Sequence, residues 1–163
     1  VSTQKPEQPE AFVNPGRPDT PASTNLLLPK DVAEFMRDPT HTAVHNFVGS
    51  KMQIFQMTAL ATAGGIRAKD LANDHVIKVR LWYMHWVEME SRQGGTTSDN
   101  IRTALIDVNN EVYGFVSAGI AQSVLMIAES FGCIPYNPPI EMMVRKMETR
   151  KGMNMLTLIP VMT

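Results

Sequence analysis

Between Thr40 and Gly64 the apolar residues Val44, Phe47, Val48, Met52, Phe55 and Ala59 recur every three or four positions, the stripe of an amphipathic helix that stops at Gly64-Gly65. The same periodicity predicts a short helix from Pro29-Lys30-Asp31 to about Arg37, with Val32, Phe35 and Met36 on one side and Asp38-Pro39 as its stop. Ile101, Leu105, Val108, Val112, Phe115 or Val116, Ile120, Val124 and Ile127 trace a longer stripe, capped by Ser98 and Asp99 and ended by Gly132. Pro138-Pro139 opens a last helix to about Lys151. The segment from about Arg67 to Arg92 points two ways. Val76-Ile77-Lys78-Val79-Arg80-Leu81-Trp82-Tyr83-Met84 suits a strand by its β-branched and aromatic content, and a helix by its flanks. Taken as a helix, it completes an all-α core of about four to five helices.

Both ends depart from this pattern. Prolines at positions 6, 9, 15, 18, 21 and 29 forbid a sustained helix over residues 1–29, which predicts an extended arm. Its apolar residues Phe12, Val13, Leu26, Leu27 and Leu28 are spaced as anchors for a neighbouring surface. After the core, residues 30–151, comes a tail of residues 152–163. Leu156, Leu158 and Ile159 in it are too apolar to be left in water and are expected to pack on the core or on another copy.

Charge changes little: 15 Lys and Arg against 16 Asp and Glu give a net charge of -1, with no global pull toward nucleic acid or membrane. The lone Cys133 rules out an intrachain disulfide and fits a reducing, intracellular compartment. The first residues carry neither a basic start nor an apolar run, so no secretory signal is expected. The uncharged run Val112 to Ala128 is short and contains Tyr113, Ser117, Gln122 and Ser123, which favours a buried core helix over a membrane span. The 12 methionines suit subunit contacts as well as a core.

Candidate chemistry is sparse. His41 and His45 have helical metal-ligand spacing without a third ligand, and His85 with Glu88 lacks the second pair that a di-metal helix bundle needs. No metal, cofactor or catalytic residue is therefore expected, and an enzyme built on these histidines ranks last. Gly64-Gly65-Ile66-Arg67-Ala68-Lys69 lacks the lysine-hydroxyl ending of a phosphate loop and reads first as a helix terminator. Cys133 reads as a small apolar filler. The cations fall in local groups: Arg67, Lys69, Lys78 and Arg80; Arg92 and Arg102, joined by the neutral Gln93, about the second glycine loop; and Arg145, Lys146, Arg150 and Lys151 near the end. Arginine and glutamine beside glycine-rich loops can reach a phosphate backbone, and repetition in a polymer makes weak contacts sufficient.

An arm, a helical core and an apolar tail make sense together in a self-assembling subunit whose ends lie on neighbouring copies. In this plan, over the whole chain and without a sequence motif, the protein resembles the coat proteins of flexible filamentous plant viruses. The resemblance implies a capsid protein of a virion, partnered by its own copies and by single-stranded RNA in a helical filament. It makes Arg67, Lys69, Arg80, Arg92, Gln93 and Arg102 the candidates for the RNA groove. A helical adaptor that docks through arm and tail, without nucleic acid or membrane, is the alternative.

Overall fold

Side chains from His75 to Glu90 alternate between two apolar environments: Ile77, Val79, Trp82 and Met84 enter the larger one, Leu81 and Tyr83 the smaller. Only an extended strand alternates in this way, and the change of parity between Val79 and Leu81 marks a β-bulge. The computed structural model describes residues 27–91, 94–148, 150, 152 and 154–162. In it helix α1 (Pro29–Phe35) and strand β1 (Val44–His45) precede helix α2 (Lys51–Thr62) and strand β2 (Ile66–Arg67). Then come β3 (His75–Glu90), β4 (Thr97–Asp107), β5 (Val112–Val116), helix α3 (Ala118–Phe131), β6 (Ile140–Glu148) and β7 (Asn154–Pro160).

The expected all-α core is thus replaced by a seven-stranded sheet in the order β2-β5-β4-β3-β6-β7, with β1 beside β3. Pairing is antiparallel throughout except between β2 and β5. The segment expected as a helix from Arg67 to Arg92 is mostly β3, and the long helix expected from Ser98 to Phe131 is two strands followed by α3. The first break in it is a turn in which Asp107 Oδ1 accepts the N–H groups of Asn109 (2.8 Å) and Glu111 (2.9 Å), with Asn110 at φ 62. The second is Ser117, whose Oγ accepts the Ile120 N–H and caps α3. The helix expected from Pro138 to Lys151 is largely β6, with Met142 and Val144 inward and Glu141 and Arg145 outward. The apolar tail becomes β7, paired along β6, with Leu158 buried in the chain's own core.

Two layers cover the sheet. Helices α1 and α3 lie on the larger face, where Ile120, Val124 and Ile127 meet Trp82, Leu105 and Phe115. Burial of each such side chain is worth roughly 1.5–3 kcal/mol. Helix α2 lies on the other face, placing Ile54, Met57 and Leu60 against Leu81, Ala104 and Ile106. It starts at Ser50, whose hydroxyl accepts the Gln53 N–H (3.1 Å) while Gln53 Oε1 accepts the Ser50 N–H (2.8 Å). The helix therefore begins well after Thr40, where the apolar periodicity starts.

Polar side chains complete backbone pairing where the sheet is irregular. Asn46 is fully buried at the bulge, accepting the Trp82 N–H at 2.8 Å and donating to the carbonyls of Ile134 (2.8 Å) and Arg80 (3.3 Å). The sheet curls into a half-barrel. Its β7 edge is tied to α3 through Ser123, which accepts the Leu158 N–H at 3.1 Å, and to the end of β5 through Ser117 Oγ, which donates to Leu156 O at 3.2 Å.

Candidate nucleic-acid interface

Cross-strand register lines up one row of residues over five strands on the α2 face: His45, Tyr83, Ala104, Gly114 and Arg67. The next row is His85, Arg102 and Val116. Because side chains two apart on a strand share a face, the two rows form one surface. Helix α2 covers only part of it.

Arg102 is the hinge of this surface. Its guanidinium donates to Ala61 O (2.8 Å) and Gly64 O (2.7 Å), carbonyls at and just beyond the C-terminus of α2, where a cation is favoured. Room for it comes from Gly114, since a Cβ there would lie 2.6 Å from Nη2. Gly65 answers a second constraint, with φ +129 and space for a Cβ closed by Val112 O at 2.7 Å. With two of its five N–H donors engaged, half-buried Arg102 keeps donors for a further acceptor. Burial lowers its pKa, and a guanidinium keeps its charge in a protein.

Beside Arg102 opens a groove of about 390 Å³, lined by Gly64, Gly65, Arg67, Lys69, Arg102 and Val116 among others. Arg67 and Lys69 reach it from β2 and the single 3-10 turn Ala68–Asp70 that follows. An exposed ion pair between Arg67 and Asp70 at 3.8 Å is too solvated to neutralise the site. On the other flank runs a chain of rings. His45 stacks on Phe47 at 4.6 Å, Phe47 on Tyr83 at 5.9 Å, and Tyr83 tilts against His85 at 5.5 Å. Phe47 and Tyr83 are buried under α2, while His45 and His85 are half-exposed. Burial lowers the pKa of both histidines, helped at His85 by the Arg102 charge, so their rings are neutral at pH 7.

Of the residues singled out from the sequence, Arg67, Lys69 and Arg102 come together here. Arg80 does not: it sits at the bulge and donates to Asn110 Oδ1. Arg92 and Gln93 lie outside the described residues, as do Phe12, Val13 and Leu26. Leu27 packs against the core, Leu28 is exposed, and Leu156 both packs on the core and lines the groove. Ile159 is half-buried in β7. The histidines occupy different settings from those their spacing implied: His41 pairs with Asp38 at 3.5 Å on the surface, and His85 and Glu88 point to opposite faces of β3. Among the described residues no three His, Cys, Asp or Glu side chains converge on a metal-sized site, and no helix is long and apolar enough to cross a membrane. Sequence reasoning missed the ring chain altogether. Its one local signal was the alternation of His45 with Phe47 and of Tyr83 with His85.

No curated protein and no solved structure matches the chain. A protein-family model described as phage single-stranded DNA-binding protein, of the phi29 type, matches residues 43–159. That match overturns the expected kinship with filamentous plant-virus coat proteins, and with it the capsid role, the packaged RNA and the nucleic-acid-free adaptor. Since it runs from just before β1 nearly to the end of β7, well over half of the chain, the protein belongs to the family of phage single-stranded DNA-binding proteins.

Proposed function

We propose that this chain binds single-stranded DNA in the groove beside Arg102, with phosphates held by Arg67, Lys69 and Arg102 and bases laid toward the His85 end of the ring chain. The observation that carries the proposal is the convergence of three cations from two segments distant in the chain on one groove floored by glycines, next to aromatic side chains on the same face. Cations that follow a backbone and rings that accept any base are the two requirements of sequence-tolerant single-strand binding. Glycine at 64, where nothing lies within 4 Å of the missing Cβ, lets a phosphate approach the protein backbone closely. Neutral histidines at pH 7 offer ring faces without an added desolvation cost. On this reading the protein acts as a stoichiometric binder, without a catalytic step.

Salt dependence provides the test. Three phosphate contacts on a single strand give a slope of log affinity against log salt of about -2. For the double variant Arg67→Ala/Lys69→Ala, a fluorescence-anisotropy titration with an oligo-dT should find roughly tenfold weaker binding and a slope shallower by about 1.4. Unchanged affinity and slope, or equal affinity for duplex DNA, would place the DNA elsewhere.

A further inference from the structure

Two hairpins project beyond the body of the sheet, from opposite ends of it. Strand β3 is 16 residues long, about 50 Å, and its side away from β4 is paired with β6 only over His75 to Val79 and with β1 at Tyr83 and Met84. Past the last β4–β5 pair, Arg102 and Val116, β3 and β4 therefore continue from Trp86 and Ile101 as a two-stranded ribbon, paired out to Glu90 and Thr97. At the other end, β6 leaves β3 after Val144, and from Arg145 to Glu148 its only partner is β7.

The ribbons carry opposite charge. On the first, Glu88 and Asp99 are direct cross-strand partners and Glu90 follows on the same face, all three exposed. Like charges opposite one another on a sheet repel, so the protein bears this cost in the absence of a cationic partner. Arg92, between Glu90 and Thr97 in the chain, is outside the described residues. On the second ribbon Arg145 is engaged by Asp74 at 3.2 Å, while Lys146 and Arg150 are exposed beside a single acid, Glu148. Met147 and Met155, cross-strand partners, are exposed there too, and Met89 is exposed on the acidic ribbon. Exposed thioethers ringed by charge suit a protein surface better than a phosphate backbone.

We infer that the acidic β3–β4 ribbon of one copy docks on the basic β6–β7 ribbon of the next, so that copies line up head to tail along the DNA. Two different patches at opposite ends cannot close a twofold dimer by pairing once. Such head-to-tail pairing gives a ring or an open row, and of the two the open row matches a linear ligand. The inference rests on the single-strand-binding function proposed above, and it assigns the ribbons to protein contact and the groove to DNA.

Reversing each ribbon separates the two roles. Glu88→Lys/Glu90→Lys/Asp99→Lys makes both ribbons basic, and Lys146→Glu/Arg150→Glu makes both acidic. On long poly(dT) each variant alone should lose about tenfold in cooperativity, whereas an equimolar mixture, in which unlike copies alternate, should return to within about twofold of wild type. Affinity for an oligo-dT that accommodates one copy should stay within about twofold for both variants. Cooperativity that survives either reversal, a mixture that fails to rescue, or a wild type that fills poly(dT) without cooperativity overturns the inference. So does a loss of short-oligonucleotide affinity on reversing Lys146 and Arg150, which would give that ribbon to DNA. Should wild type fail to bind short oligo-dT, the proposed function falls, and sedimentation of the DNA-free proteins at low salt still tests the ribbons: wild type and the mixture associate, and the single variants do not.

Discussion

Gly114→Ala isolates the contact that joins the fold to the groove. The methyl group would lie 2.6 Å from Nη2, 3.3 Å from Cζ and 3.5 Å from Nε of Arg102, so the guanidinium has to swing away. It then loses its bonds to Ala61 O at 2.8 Å and Gly64 O at 2.7 Å. Charge-assisted bonds contribute roughly 1.5–3 kcal/mol each when well shielded. Arg102 is half-exposed and regains water, which brings the pair down to about 1.5 kcal/mol together. Replacing glycine by alanine in a strand returns about 0.5 kcal/mol by restricting the unfolded chain. The net loss is about 1 kcal/mol, a fall in Tm of roughly 2–4 °C for a chain of this size. Circular dichroism during heating measures it, and oligo-dT anisotropy should show a simultaneous drop of about threefold to tenfold as one of three cations leaves the groove. The cause is checked in an Arg102→Ala background, where Gly114→Ala should be neutral or slightly stabilising. An equal penalty in both backgrounds would refute the steric account.

Three further predictions concern the core. Asn46→Ala removes the acceptor for the buried Trp82 N–H and the donor to Ile134 O, and should cost about 3 kcal/mol by urea unfolding; a loss below 1 kcal/mol would mean that the bulge satisfies itself. Thr103 is fully buried with a hydroxyl that has no hydrogen-bond partner among the described residues, so Thr103→Val should stabilise by about 1 kcal/mol, and destabilisation would reveal a partner. Burial pushes Cys133 up to about 11 and Tyr136 up to about 12 from ordinary values of 9.0 and 10.0. Both are neutral in the fold and release protons earlier when unfolded, so stability is full below pH 9 and falls as pH rises through 11 and 12. A loss of a few kcal/mol between pH 8 and 11 is expected, and a urea midpoint that does not move would exclude it.

Features that depend on a few neighbouring residues were legible in the sequence. Pro29 and Asp38-Pro39 bound the short first helix closely, Gly132 ends α3 as expected, and the apolar stretch about Leu158 packs as its composition demands. The cations beside Gly64-Gly65 were visible as a group for the same reason. Val76 to Met84 carried a strand signal that its flanks outweighed, and β4 carried none, because between Ile101 and Ile106 both of its faces are buried. Ile101 and Leu105 enter one apolar layer and Ala104 and Ile106 the other, which erases the alternation of a half-exposed strand and lets a three-four spacing be picked out by chance. Asp107-Val108-Asn109-Asn110 was the local turn signal that contradicted the long helix from Ser98 to Phe131.

What this sequence determines by itself is where the chain can turn, where a helix must stop and which residues cannot remain in water, since each follows from local sterics and solvation. Tertiary structure decides which segments pair. Arg67 and Arg102 are separated in the chain by the whole of β3, yet they share one groove because β2 pairs with β5 and β5 with β4. His45 and His85 join one ring chain because β1 lies against β3. Hydrogen bonds between distant strands set both neighbourhoods, and no local periodicity carries that information.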